Sequence, residues 1–529
     1  MKQTRLSIVI FFAFLFGNVF ADPPVNKYLN GTIFEDITAG SGFQHYGHGK
    51  LILFDDYDRD GDLDIYLSIV YAPDKFFMNV GDMKFVNVTE VTGLINPHDG
   101  HGAVFADFDR NGYQDLFVAN NLEYETNRRK RICGPNKLFM LDDEGVFNEE
   151  ALEAGVAGNG INQSCGVTTA DINGDGYLDI FVAVERFNDR GDDCANHLYL
   201  NNGNGTFKDI AAEVGVDDRG YGYTCNFVDY DNDGDPDLFV GNETDAETQP
   251  ARILYRNDGN LKFTDVSKDA GISGSGCSTC SEWFDMDNDG DLDLFVGQTL
   301  TGDPARSFEY HATNFNKLYR NNGDGTFTDV SKEGGVEIDT KTRGCVVGDI
   351  DNDGDLDLYV TNSGSESLVL INDGKGNFTE SKKVTGGSVF YGHGCALGDL
   401  DNDGDLDLAV GNWRRIQYKN PGEWKLFRNK TNNGNWLKID LKGTKSNPDA
   451  VMSKVWVYEA GHAKDKKHLK GFHEVTNGNG VFTGNPLQQH FGLDSSKKYD
   501  IVVKFPSGTE VVKKNVTTGQ TLSIVETEE

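Results

Sequence analysis

Seven stretches of nine residues place oxygen-bearing side chains at positions 1, 3, 5 and 9 around a glycine at position 6. The clearest is Asp399-Leu-Asp-Asn-Asp-Gly-Asp-Leu-Asp407. This spacing is suited to a hard divalent cation. Calcium takes six to eight oxygens at about 2.3 to 2.6 Å, and a glycine lets the backbone turn sharply enough for alternate side chains to converge. The candidate ligands are Asp56, Asp58, Asp60 and Asp64; Asp107, Asp109, Asn111 and Asp115; Asp171, Asn173, Asp175 and Asp179; Asp229, Asp231, Asp233 and Asp237; Asp285, Asp287, Asp289 and Asp293; Asp349, Asp351, Asp353 and Asp357; and Asp399, Asp401, Asp403 and Asp407. Up to seven Ca2+ ions are expected. Asn111 and Asn173 keep an oxygen but remove a charge, so the second and third loops should bind less tightly. An EF-hand puts its last carboxylate at position 12 between helices; here it falls at 9, between strand-like segments.

The elements that must hold these loops repeat with them. After each loop comes a short apolar strand, such as Leu294-Phe-Val. A strand like Lys317-Leu-Tyr-Arg follows, then an Asn-Gly turn that tolerates positive φ, then a strand like Phe327-Thr-Asp. With the strand entering the loop, each repeat has four strands and spans 50 to 64 residues. Radially repeated four-stranded units of this length predict a β-propeller. Phe34-Glu-Asp-Ile-Thr is an outer strand with no blade before it, and the seventh repeat lacks one, so the amino-terminal strand should complete blade 7 and leave no open edge. From Asn435 the acidic loops stop and lysine rises, while Trp436-Leu-Lys-Ile-Asp-Leu, Lys454-Val-Trp-Val-Tyr and Tyr499-Asp-Ile-Val-Val alternate as half-buried strands do. The expected fold is all-β: a seven-bladed propeller over 22–432 and a small β-sandwich-like domain over 433–529.

Composition narrows the function. The net charge is −35, and 31 of the 84 acids lie at odd loop positions. Such a chain is a poor partner for nucleic acid, which is bound by clustered Lys and Arg. Lys2 and Arg5, the apolar run Leu6 to Phe16 and Val19-Phe-Ala21 read as a secretory signal peptide over 1–21. No later apolar run has the length of a membrane span, so a secreted protein without a membrane anchor is expected. Eight cysteines, all between Cys133 and Cys395, suggest disulfides in that compartment. Cys225, Cys345 and Cys395, each four residues before a loop, are candidates for bridges between repeats; the pairing stays open. Asn-x-Ser/Thr sequons at Asn30, Asn87, Asn162, Asn204, Asn242, Asn377, Asn429 and Asn515 make the chain a candidate glycoprotein, with about half of them used.

The loop-strand repeats resemble the FG-GAP or VCBS repeats of integrin α-subunit propellers. The tail, with Asn435-Trp-Leu, Gly443-Thr-Lys-Ser-Asn, His490-Phe-Gly-Leu and Phe505-Pro-Ser-Gly, is similar to the UnbV/ASPIC domain. Together they resemble the cartilage acidic protein family, which implies an extracellular, calcium-binding, glycosylated matrix or signalling protein. The cysteine-rich, EGF-like module of vertebrate members is not seen before Glu529, so partners bound through it are not expected.

Three other features carry chemistry. Arg190-Gly-Asp192 is an integrin-type tripeptide, and Arg128-Arg-Lys-Arg131 is a candidate protease or glycosaminoglycan contact. His48, His101 and His393 stand in Gly-His-Gly settings shortly before the loops of blades 1, 2 and 7; if they meet in the channel they could hold a transition metal or an anion. No nucleophile elbow, P-loop, dinucleotide fingerprint or HExxH helix is present, so no catalytic residue is assigned and an enzyme is not expected. The leading expectation is a calcium-stabilised scaffold contacting matrix or cell-surface proteins or glycans. The alternative is a carbohydrate-binding protein or enzyme with its site at the channel mouth.

Overall fold

The computed structural model describes residues 33–43, 48–70, 72–124, 131–158, 163–185, 195–244, 251–299, 315–338, 340–381, 387–412 and 422–527. The expected leader, Asn30, Asn162, Arg190-Gly-Asp192, Cys194 and the side chains of Cys133 and Arg128-Arg-Lys-Arg131 lie outside this description.

Apart from the two-stranded pair Leu122–Tyr124 and Arg131–Cys133, the described strands before residue 430 form seven antiparallel sets of four. Blade 1, for example, orders His48–Asp55, Asp64–Val70, Lys75–Asn79 and Phe85–Asn87 from inside to outside. The second strands are buried along nearly their whole length, because both faces of each blade pack on neighbours. Leu116 and Val118 of blade 2 join Leu51 and Leu53 of blade 1 in one cluster, and Phe117 joins Ile180 and Val182 of blade 3 in the next.

Two devices close the ring. Phe34–Asp36 pairs antiparallel with Lys425–Asn429 as the fourth strand of blade 7, Phe34 opposite Asn429. Ile52, Ile65 and Leu67 of blade 1 pack on Ala396, Ala409 and Trp424 of blade 7.

The tail is a sandwich. One sheet orders Gln489–Gly492, Trp436–Lys442 and Gln520–Val525; the other orders Leu469–Glu474, Lys454–Glu459, Tyr499–Lys504 and Glu510–Val516. Leu437, Ile439, Val455, Val457, Ile501 and Val503 fill the space between them. One segment leaves the sandwich. Asn477–Gly480 pairs with the inner strand of blade 3 as a fifth strand, Gly480 opposite Val167. Phe482 beyond it is fully buried; its N–H donates to His101 O at 3.2 Å, and its carbonyl accepts from Ile52 N–H at 3.4 Å.

This insertion packs on two of the three Gly-His-Gly histidines. The Phe482 ring lies 5.4 Å from the His101 ring and 4.2 Å from that of His393, so an aromatic side chain packs against both imidazoles. The flanking glycines have a packing role: a Cβ at Gly102 would fall 2.2 Å from Cys165 O, and one at Gly394 would fall 2.0 Å from Lys50 O. Inner strands thus approach backbone to backbone. Cys225, Cys280, Cys345 and Cys395 are buried free thiols, so the expected bridges from Cys225, Cys345 and Cys395 are not formed here. Of the described sequons, Asn87, Asn204, Asn377 and Asn515 are exposed. Asn242 and Asn429 are fully buried, and Asn429 donates its amide to Ile350 O and Leu406 O, which leaves no room for a glycan. Among the described residues no helix is long and apolar enough to cross a membrane.

Candidate metal centres

Each loop is shaped by its own backbone. The position-4 residue has positive φ, as at Arg59, Asn288 and Asn402, and so does the glycine at position 6, as at Gly61, Gly290 and Gly404. These two reversals fold the chain around the position-1 carboxylate. Asp399, for example, accepts from Asp403 N–H at 3.0 Å and Gly404 N–H at 2.9 Å. At the far end the position-9 carboxylate ties the loop to its blade: Asp407 accepts from Asn429 N–H at 2.8 Å and Leu400 N–H at 2.9 Å. Carboxylates 1, 3 and 9 then converge. In Asp56/Asp58/Asp64, Asp107/Asp109/Asp115 and Asp229/Asp231/Asp237, one oxygen from each lies within 4.8 Å of the other two.

The electrostatics of these clusters are costly. Burial first, then repulsion from neighbouring acids, pushes Asp58 up to about 7, and burial takes Asp285 to about 8 and Asp237 to about 9, against the ordinary carboxylate range. Several inward oxygens accept no hydrogen bond: both of Asp58, and one each of Asp64, Asp107, Asp229, Asp287, Asp351 and Asp401. Buried acceptors of this kind are normally satisfied. The donor set is all hard oxygen and fits a dication such as calcium, which positions 1, 3 and 9 would hold in these clusters, with position 5 the remaining expected ligand.

The loops are not equivalent. Asn111 turns its amide N–H onto Asp109 at 3.1 Å, and Asn173 turns its own onto Asp175 at 2.9 Å, so these loops offset part of their charge internally. Loop 7, with five acids like loops 1, 4, 5 and 6, has two of its carboxylates paired with basic side chains. Lys438 Nζ lies 2.7 Å from Asp399, and Arg428 Nε lies 2.9 Å from Asp401. In loop 4, Lys454 Nζ sits 2.8 Å from Asp229, with Glu474 at 3.6 Å.

Those lysines belong to the tail domain, which lies across the loop face. Glu474 accepts from Asp229 N–H at 3.0 Å, Asp449 accepts from Asp107 N–H at 2.7 Å, and His490 Nε2 is 2.9 Å from Gly404 O. Gly492 packs so closely on loop 6 that a Cβ there would fall 1.8 Å from Asp349 Oδ2.

A second set of residues escaped the sequence reading. The asparagine ending the third strand of a blade donates to its own loop and to the loop of the preceding blade. Asn321 bonds Leu292 O at 3.1 Å and Tyr230 O at 2.9 Å, and Asn372 bonds Leu356 O at 3.1 Å and Met286 O at 2.8 Å. Their recurrence at Asn79, Asn201, Asn257, Asn321, Asn372 and Asn429 was the available signal.

An FG-GAP-like repeat model matches residues 56–118, 171–240, 309–360 and 349–410, and an ASPIC and UnbV model matches 443–529. The chain carries FG-GAP repeats and an ASPIC/UnbV domain. It is 24% identical over 498 residues to cartilage acidic protein 1 of Homo sapiens, covering 89% of this chain and 62% of that protein. Against the Mus musculus protein it is 26% identical over 342 residues, covering 60% of this chain and 48% of that one. The chain therefore spans less than two thirds of these relatives. Among solved structures, BBS1N in complex with ARL6DN aligns at 10% identity with a TM-score of 0.42, over 75% of this chain and 97% of that one. YCF48 bound to D1 peptide aligns at 9% identity with a TM-score of 0.40, over 77% and 97%.

Proposed function

We propose that this chain is a secreted, calcium-stabilised scaffold of the extracellular matrix type, contacting matrix or cell-surface proteins or glycans, with calcium structural in each blade. The observation that carries this reading is the set of converging carboxylate oxygens that no hydrogen bond satisfies. A dication at each would remove the repulsion that burial imposes and lock the turn between the two inner strands. Similarity to cartilage acidic protein 1 and the exposed sequons support the extracellular setting. The alternative site in the channel mouth has less support, because Phe482 packs its ring against His101 and His393 there.

Thermal unfolding with and without chelator tests the proposal. A site filled at a hundred times its Kd contributes about 2.7 kcal/mol. At about 2.1 cal/mol/K per residue over the propeller, two filled sites therefore predict a fall in Tm of about 6 °C in EDTA and four about 12 °C, reversed by calcium and not by magnesium at equal concentration. An unchanged melt in EDTA would overturn a structural role for calcium.

A further inference from the structure

Apart from the loops, one cluster on the inner wall of the channel gathers donors of mixed softness. His101 on the inner strand of blade 2, Cys165 on that of blade 3, Glu185 at the end of the next strand and Asn121 just after the second strand of blade 2 point at one spot. His101 Nδ1 lies 3.3 Å from Cys165 Sγ, and Cys165 Sγ lies 3.4 Å from Glu185 Oε2. The Asn121 amide nitrogen is 3.2 Å from His101 Nδ1, 3.5 Å from Cys165 Sγ and 3.3 Å from Glu185 Oε2. Cys165 is fully buried and His101 is 5% exposed.

We propose that these four side chains form a closed zinc site, independent of the calcium loops. Zinc bound at ordinary lengths to imidazole nitrogen, thiolate and carboxylate holds its ligands roughly 3.3 to 3.6 Å apart at the corners of a tetrahedron. The His101–Cys165 and Cys165–Glu185 separations, 3.3 and 3.4 Å, fall within that range, and the His101, Cys165 and Glu185 donor atoms all lie within 4.8 Å of one another. An amide carries only two hydrogens, so Asn121 cannot donate to all three neighbours at once, whereas a cation among them is shared by all. A half-turn of the Asn121 amide, whose two ends have nearly the same shape, presents Oδ1 as the fourth ligand. Beyond His101, Asp99 Oδ2 lies 3.6 Å from Nε2. In the structure the Lys50 ammonium, 3.0 Å from Asp99, is the group that contacts Nε2, so zinc at Nδ1 requires the ring proton to move to Nε2 and Lys50 to keep only its pairing with Asp99. Binding forms the sulfur–zinc bond and releases the Cys165 proton to solvent; no electrons move. Thiolate and Glu185 carboxylate together cancel the charge of the ion.

The test uses the full chain, secreted and purified in excess calcium so that the acidic loops are filled. Metal analysis is expected to find one zinc per chain. Cobalt exchanged into the protein is expected to show a near-ultraviolet sulfur-to-cobalt charge-transfer band and the intense visible bands of tetrahedral geometry. Cys165→Ser should lose that charge-transfer band and its zinc while keeping its calcium content, and Glu185→Gln, at a half-buried position, should weaken zinc binding at least about tenfold. Equal zinc in wild type and Cys165→Ser overturns the proposal, as does a cobalt spectrum of wild type that is pale and lacks the sulfur band. The second result decides the matter even if Cys165→Ser fails to fold. Calcium counted in the same samples reports on the scaffold reading separately.

Discussion

Replacing Phe482 with alanine probes how the tail is anchored. The ring is fully buried, 4.2 Å from His393, 5.4 Å from His101 and 5.8 Å from Tyr223, all propeller residues. A buried phenylalanine hides about 150 to 250 Å², which at about 25 cal/mol per Å² sets a ceiling near 4 to 6 kcal/mol. Phe→Ala in a packed core typically costs about 3 to 5 kcal/mol. That loss falls on docking, because the side chain belongs to the tail and its neighbours to the ring. In native-state hydrogen exchange the amides of Ile52 and Phe482, which bond across this junction, should exchange roughly two to three orders of magnitude faster in Phe482→Ala. Amides of the sandwich core such as Val457 should change less. In urea the tail should unfold before the propeller, where in wild type the two unfold together. A junction destabilised by less than about 1 kcal/mol, or wild-type transitions already separate, would refute the claim that Phe482 is the anchor.

Three further predictions concern the tail. Lys454→Met leaves Asp229 and Glu474 buried without their cation and should cost about 3 to 5 kcal/mol in the urea midpoint. Adding Glu474→Gln should recover part of that loss, and strictly additive effects would show that the three groups do not act together. Gly492→Ala forces Asp349 out of position, so calcium titration should find one equivalent fewer, with about 1 to 3 kcal/mol of destabilisation. Glu526 is burdened by burial, yet hydrogen bonds from the Ser507 hydroxyl and the N–H groups of Thr444, Lys445 and Ser446 bring it down to about 2. Its folded value is depressed, so its stabilisation is complete above about pH 4.5 and is lost as pH falls toward 2. Glu526→Gln should cost about 1 to 3 kcal/mol at pH 7 and flatten that acid limb in a urea–pH series.

What the sequence revealed and concealed follows from how local each determinant is. The loops were legible because nine consecutive residues contain the turn and its carboxylates. Closure by Phe34–Asp36 was legible because that strand repeats the pattern of Phe327-Thr-Asp and Phe378-Thr-Glu. The channel insertion was hidden. Asn477-Gly-Asn-Gly480-Val-Phe has no period, and its partner strand lies some 300 residues earlier. Gly-His-Gly marked the right place for the wrong reason, since close backbone approach demanded the glycines before any ligand did.

The lysines of the tail are the most instructive miss. Lys438 alternates with Leu437 and Ile439, and Lys454 precedes Val455 and Val457, so period-two reasoning assigns both to solvent. The sandwich, however, buries its second face as well: Trp456 and Tyr458 pack on blades 4 and 5, which turns Lys454 onto loop 4. An aromatic pair on the polar side of a strand was the sign that this face had a partner. The shift from acid to lysine at residue 435 is then more than a domain boundary. It is charge complementarity within one chain: at loops 4 and 7 the tail brings ammonium groups to a ring face that repels itself. Lys438 and Lys454 thus supply part of the electrostatic work that the proposed calcium would do, and removing either should loosen the same face.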